Sequence, residues 1–250
     1  MDLYGLIGYP LGHSFSARFF TEKFKREDIA ARYLNFEIPV IGQLPEIIGK
    51  HPDLRGLNVT IPHKQTVLQM LDTLSEEAGE IGAVNVIRIR RKGDTFLTEG
   101  YNTDVIGFSR SISPLLGNGH KRALILGTGG ASRAVDFGLR HLGIIPSFVS
   151  RSHRDGEPSG TLTYDELTPK IMADNTVIVN CTPIGMYPHT DEAPALPYEE
   201  IGSGHLLYDL VYNPQETEFL HRGARNGAVT KNGLEMLHLQ AIAAWEIWQR

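Results

Sequence analysis

The sequence predicts an α/β fold of two domains. Three observations lead there: apolar strand-sized runs alternate with helical patterns in two successive series, a polar hinge over 117–121 separates the series, and 250 residues suffice for two domains of ordinary size. Alternation at this spacing builds βαβ units, so mostly parallel sheets are expected.

In the first series, an apolar run over 3–7 that stops at Gly8 and Pro10 reads as a buried strand feeding a turn. Phe15, Phe19, Phe20 and Phe24 then recur at helical spacing, which predicts a helix over 16–25 with Ser16 placed to cap it. A strand over 33–38, a helix over 42–50 and a buried strand over 54–61 follow. Pro62 suits a first helical turn, so a helix is expected from there to about residue 71. Strands over 83–90 and 96–100 flank a charged turn at 91–94, and a helix over 105–116 ends the series.

The second series opens with a strand over 122–126, a helix over 131–142 and a strand over 146–150. A helix over 163–173, strands over 176–180 and 206–211, a helix over 215–226, a strand over 228–230 and a last helix over 234–248 complete it. The last helix repeats Leu234, Leu237, Ala241, Trp245 and Trp248 as a core stripe, and Gln240 shares a face with Met236, Leu237 and Ala244.

Composition narrows the function. Lys and Arg number 24 against 29 Asp and Glu, a net charge of −5, which argues against a nucleic-acid or anionic-membrane binder. Small molecules are therefore the expected partners, and any anionic ligand must be held by local groups; a homodimer is left open. The single cysteine, Cys181, excludes an intrachain disulfide and a multi-cysteine metal site, and it reads as a packed residue rather than a nucleophile. The ten histidines show no metal-ligand spacing, so no metal is expected; His13 and His63 read as loop-orienting residues. The first residues lack a basic leader and no run approaches the ~18 apolar residues of a membrane span, so a cytoplasmic protein is expected. The 26 glycines, about a tenth of the chain, imply more tight turns and close backbone approaches than usual.

Gly127-Thr128-Gly129-Gly130-Ala131 lies between a predicted strand and a predicted helix, the context in which a glycine-rich turn brings pyrophosphate against helix amino-terminal N–H groups. The third glycine of the usual fingerprint is replaced by Ser132. The next strand ends in Ser150-Arg151-Ser152, with Arg154 beyond and no acid before Asp155. An acid there would serve the ribose hydroxyl of NAD; an arginine with flanking hydroxyls suits the 2′-phosphate of NADP.

Four polar clusters sit beside predicted strand ends and helix starts. Ser14 and Ser16 could present hydroxyls to a carboxylate, though Ser16 also reads as a helix cap. Asn58, Thr60 and Lys64 surround the carboxyl end of a strand, where open α/β sheets bind ligands, and a surface lysine is the alternative for Lys64. Asn85 needs partners if buried. Asp104 serves equally well as a cap for the helix that follows.

The segments GYPLGHSFS, NVTIPHK, GAVN, GYNTD, LGTGGASRA, NCTPIGM, YDLVYNP and NGLEMLHLQA occur in the order and spacing seen in shikimate dehydrogenases, which the chain resembles over nearly its whole length. The resemblance implies a substrate domain of residues 1–104 plus 232–250, an inserted Rossmann-type NADP domain over 105–231, and an active site in the cleft between them. It implies reversible NADPH-dependent reduction of 3-dehydroshikimate to shikimate on the chorismate route to aromatic amino acids. By match to the family's motifs, Lys64 and Asp104 are the catalytic pair. Ser14, Ser16 and Tyr212 would bind the substrate carboxylate, and Thr60, Asn85 and Gln240 its ring hydroxyls. Gly127, Gly129, Gly130 and Ala131 would meet the pyrophosphate, Ser150, Arg151 and Ser152 the 2′-phosphate, and Met186, Val211 and Gly233 the nicotinamide.

The chain departs from the family at a few points. Ser150-Arg151-Ser152 stands where Asn-Arg-Thr is usual, Ala17 replaces a common proline and Val86 a common threonine. Two other readings stay open: a quinate/shikimate dehydrogenase with relaxed cofactor use, and a non-catalytic NADPH-binding sensor on the same scaffold.

Overall fold

A computed structural model describes residues 1–12, 15–93, 95–153, 156 and 158–250. The chain divides into two compact units, Met1–Thr103 with Gln240–Arg250, and Asp104–Leu239.

The first unit contains β1 (Asp2–Gly8), α1 (Phe15–Arg26), β2 (Ala31–Glu37), α2 (Leu44–Lys50), β3 (Leu54–Val59), β4 (Thr73–Leu74), α3 (Glu76–Ile81), β5 (Val86–Lys92) and β6 (Thr95–Tyr101). Its strands form one sheet in the order β2-β1-β3-β5-β6-β4. Pairings β1–β2, β1–β3 and β4–β6 are parallel. The strand set β3, β5 and β6 is antiparallel, so this sheet is mixed. The short hairpin from β5 to β6 leaves no room for the crossover that a parallel pair needs.

Period-2 alternation assigns the strand faces. Leu3 and Ile7 of β1 join Leu54, Leu57 and Val59 against Leu44 and Ile48 of α2. Tyr4 and Leu6 point the other way, toward Phe20 and Phe24 of α1. The same face receives Trp248, whose indole N–H donates to the Ile87 carbonyl at 3.0 Å. Gly56 makes this seat possible, because a Cβ there would collide with the indole ring.

The second unit contains α4 (Asp104–Ile112), β7 (Arg122–Leu126), α5 (Gly130–His141), β8 (Ile145–Ser150), β9 (Leu162–Thr163), α6 (Pro169–Asp174), β10 (Val177–Asn180), β11 (Leu206–Asp209), α7 (Glu218–Arg225), β12 (Val229–Lys231) and the start of α8 (Leu234–Trp248). Its sheet runs β12-β11-β10-β7-β8-β9 with every pair parallel. The chain starts in the middle, winds outward through β8 and β9, then returns to β10 and winds the other way. This is the doubly wound Rossmann-type order, with its topological switch point between β7 and β10. Ala123, Ile125, Val177 and Val179 face Phe108, Val135 and Leu139 on one side, while Leu124, Leu126 and Ile178 face Met172, Phe219 and Leu220 on the other. Both faces are covered, which explains why these strands read as unbroken apolar runs.

Several expected elements differ. The helix expected from Pro62 to residue 71 is a series of turns ending in a 3₁₀ segment, Thr66–Met70. The Lys64 carbonyl accepts from the Val84 amide at 2.7 Å, and the Leu68 amide turns to Gln65 at 3.3 Å, so the α-helical ladder cannot run through residue 64. The helix expected over 163–173 is broken into a 3₁₀ turn, Tyr164–Glu166, and α6. Pro169 has no N–H to donate and forces Thr168 into extended backbone, from which it caps α6. Strand β4 and helix α3 were not expected, although Ser75 caps α3 by accepting from the Ala78 amide and acidic residues fill its first turn. In α8 the buried face is Met236, Gln240, Ala241, Ala244, Ile247 and Trp248, whereas Leu234 is exposed.

Candidate active site

In the first unit, Asn85 lies in the segment between α3 and β5 and is buried. Its Nδ2 donates to the Thr103 hydroxyl at 3.1 Å and to Gln240 Oε1 at 3.3 Å, while its Oδ1 accepts from the Thr103 amide at 2.7 Å. The Thr103 hydroxyl lies 3.5 Å from Gln240 Oε1. Three segments thus meet in one buried set of amide and hydroxyl groups, each partnered as burial demands. Asn102 supports the cluster from behind by donating to the Ala83 carbonyl at 2.9 Å.

Thr60 and Lys64 follow the carboxyl end of β3 and are half-buried. Their backbone is pinned: the Thr60 amide donates to Ile7 at 2.9 Å, and the His63 amide donates to Thr60 at 2.9 Å. His63 is itself buried and its Nε2 donates to the Ile38 carbonyl at 2.7 Å, a contact that fixes the loop ahead of Lys64. Ser16 sits in the first turn of α1, where its hydroxyl faces that of Tyr33. Tyr33 donates to Asn58 Oδ1 at 2.7 Å, and its burial pushes its hydroxyl well up. His13, Ser14, Arg154 and Asp155 lie outside the described residues.

In the second unit, Asp104 opens α4 and is buried, a position where the helix dipole favours a carboxylate. Cys181 follows β10; desolvation, reinforced by Asp209 and Asp104, pushes its thiol well up, which suits a packed residue and not a nucleophile.

The glycine-rich turn lies at the carboxyl end of β7, beside the switch point. Gly127 has φ +102°, a conformation open to glycine, and its amide donates to the Val149 carbonyl at 2.8 Å. Gly129 caps α5, and Gly130 and Ala131 form its first turn, where helix N–H groups have no internal partner. Ser132, in place of the usual third glycine, is fully buried and its hydroxyl donates back to the Gly129 carbonyl at 2.6 Å. A small residue suffices there for close helix packing. Ser150 donates to the Ser152 carbonyl at 2.6 Å, while Arg151 and Ser152 are exposed at the end of β8, with the Arg151 guanidinium acting on Tyr164. Backbone turn, helix amides and exposed guanidinium together fit a phosphorylated dinucleotide.

Two further loops border the carboxyl ends of β10 and β11. Met186 is exposed, Val211 is buried and the Gly233 amide donates to the Val211 carbonyl at 3.2 Å. Tyr212 is half-buried, and that burial raises its hydroxyl. Beneath them Asp209 is fully buried, with desolvation pushing its carboxyl up to about 6 against three hydrogen bonds that lower it.

Thr103, Asn180 and Asp209 lie within the motifs GYNTD, NCTPIGM and YDLVYNP but had no role assigned, and Tyr33 and Thr217 lie outside every motif. A signal existed for Asn180 and Asp209, since an amide and a carboxylate closing otherwise apolar strands must have buried partners. Tyr33 carries no local signal, because only the fold brings its partner Asn58 to it.

Residues 6–87 match the shikimate dehydrogenase substrate binding domain family. The NADP(+) shikimate dehydrogenase of Methanococcus maripaludis strain C6 is 39% identical over 259 residues, covering 98% of this chain and 91% of that protein. A crystal structure of a shikimate dehydrogenase in complex with NADP+ matches with a TM-score of 0.85 at 33% identity, over 99% of this chain and 89% of the other. The shikimate 5-dehydrogenase of Thermus thermophilus in complex with NADP(H) and shikimate matches with a TM-score of 0.83 at 29% identity, over 99% of this chain and 93% of the other.

Proposed function

This chain belongs to the shikimate dehydrogenase family, and we propose from that premise that it reduces 3-dehydroshikimate to shikimate, reversibly, with NADPH. The observation that carries the reading is the extent of the match, which spans 98% of the chain at 39% identity. The buried Asn85, Thr103 and Gln240 cluster supports it, because a polyhydroxylated ring needs fixed donors and acceptors rather than charge.

Ser14, Ser16 and Tyr212 hold the substrate carboxylate through hydroxyls, which agrees with the chain's net charge of −5. Thr60, Asn85 and Gln240 orient the ring hydroxyls. Ketone reduction develops an alkoxide, and the Lys64 ammonium stabilises it and delivers its proton. The Asp104 carboxylate directs that ammonium. NADPH supplies the hydride when bound. Gly127, Gly129, Gly130 and Ala131 receive its pyrophosphate, Ser150, Arg151 and Ser152 its 2′-phosphate, and Met186, Val211 and Gly233 border its nicotinamide. Residues 105–231 thus form the cofactor domain, and 1–104 with 232–250 the substrate domain. No described helix is long and apolar enough to cross a membrane. We place the enzyme in the cytoplasm, where a lone thiol stays reduced.

The test is shikimate-dependent reduction of NADP+ followed by its absorbance change, with wild type beside Lys64→Ala. Turnover by wild type and its loss in the variant, with NADP+ binding retained, is expected. NADP+ binding without turnover in wild type would support the sensor reading instead, and full activity of Lys64→Ala would remove its proton-donor role.

A further inference from the structure

Strands β10 and β11 are apolar until their last residues, Asn180 and Asp209, which are register partners and fully buried. A buried carboxylate is costly unless its oxygens are occupied. Asp209 Oδ1 accepts from Asn180 Nδ2 and from the Val211 amide, both at 3.0 Å, and Oδ2 accepts from the Thr217 hydroxyl at 2.6 Å. Each donor controls a different piece of chain. Asn180 Oδ1 accepts from the amide and hydroxyl of Thr182, at 3.1 and 2.6 Å, and so shapes the loop after β10. Val211 begins the loop after β11, and Thr217 ends that loop as the cap of α7. The loops also meet directly, since the Tyr187 amide donates to the Asn213 carbonyl at 3.3 Å. One carboxylate therefore ties together the loops that carry Met186 and Val211.

We propose that Asp209 is a positioning residue for the nicotinamide half of NADPH, touching neither cofactor nor substrate but holding the two loops that border the ring. The inference rests on the cofactor reading given above. Asn180 Nδ2 and the Val211 amide can only donate, so Oδ1 must accept, while the Thr217 hydroxyl gives the charged Oδ2 its short bond. Asparagine, of nearly the same size, keeps an oxygen for Asn180 and Val211 but turns an N–H toward Thr217, so the charge is lost and the Thr217 hydroxyl must give up its bond and reorient. The glycine turn and the end of β8, which receive the adenosine half, share none of these hydrogen bonds.

The test measures dissociation constants of the full chain for NADPH and for adenosine 2′,5′-bisphosphate, which carries the 2′-phosphate and lacks the nicotinamide. Asp209→Asn is expected to weaken NADPH by about tenfold while leaving the bisphosphate within about twofold. Thr217→Val, which removes one donor and keeps the carboxylate, is expected to show the same selective loss to a smaller degree and serves if Asp209→Asn does not fold. Equal weakening of both ligands would overturn the proposal in favour of general loss of structure, as would unchanged NADPH affinity in both variants. A wild-type chain that binds neither ligand would overturn the cofactor reading, and this proposal with it.

Discussion

The side-chain amide of Asn85 donates to Gln240 Oε1 at 3.3 Å, joining residues 155 positions apart in the chain. The same oxygen lies 3.5 Å from the Thr103 hydroxyl, so α8 closes a polar cluster that the segment before β5 and the end of β6 begin. Gln240→Ala removes this acceptor and leaves two buried donors without it. We expect the KM for shikimate to rise about tenfold, that for NADP+ to stay unchanged, and stability to fall by about 1–2 kcal/mol. Steady-state kinetics and denaturant unfolding read the two effects; an unchanged shikimate KM would detach Gln240 from the substrate.

Gly56 and Trp248 are matched in the same unit. A methyl group at residue 56 meets the indole ring and displaces the N–H that the Ile87 carbonyl accepts. Gly56→Ala should cost about 1–3 kcal/mol, the usual range for overpacking a filled core. In a Trp248→Phe background, where that hydrogen bond is already absent, the same substitution should cost less. Equal costs in both backgrounds would show that the ring is not the obstacle.

Arg151 stands exposed at the end of β8, where an acid would serve NAD. Arg151→Ala should lower kcat/KM with NADP+ by at least about tenfold and change that with NAD+ little, since a guanidinium pairs with the extra phosphate alone. Unchanged affinity for both cofactors would reject the contact.

Asp209 also predicts a pH dependence of stability. Burial raises its carboxyl from 3.8 to about 6 in the folded chain, with Cys181 and Tyr198 the titratable groups that feel its charge. Between those values the unfolded chain has lost the proton and the folded chain keeps it, so this group's contribution falls as pH rises from about 4 to 6 and is level above. The loss is roughly 3 kcal/mol from the shift of about two pH units. The stability of wild type relative to Asp209→Asn should decline by that order between about pH 4 and pH 7 in urea titrations. A difference independent of pH would contradict the raised value.

Much of this was legible in sequence because it is local. Apolar runs marked β7, β10 and β11, the turn beginning at Gly127 marked the start of α5, and Asp104 stood where α4 begins, whereas Ser16, expected to cap a helix, lies within the first turn of α1 with its hydroxyl on Tyr33. What was not legible depends on partners distant in the chain. The helix expected after Pro62 fails because the Lys64 carbonyl is taken by Val84, a residue that only the folded sheet brings near. Antiparallel β5 and β6 follow from a hairpin too short for a crossover, which periodicity does not report. Asn85 was marked as an amide needing partners if buried and Gln240 by its helix face, and the resemblance gave both a substrate role, yet nothing in their spacing revealed that they bond each other. The tie through Asp209 was hidden for the same reason, although a carboxylate at the end of an apolar strand was itself a visible demand for donors.

The most direct measurement is the set of initial rates with shikimate and with quinate, each with NADP+ and with NAD+. We expect the highest kcat/KM for shikimate with NADP+, with quinate and NAD+ each lowering it. A higher kcat/KM for quinate with NAD+ would contradict the reading of Ser14, Ser16 and Arg151 and would make the chain a quinate dehydrogenase.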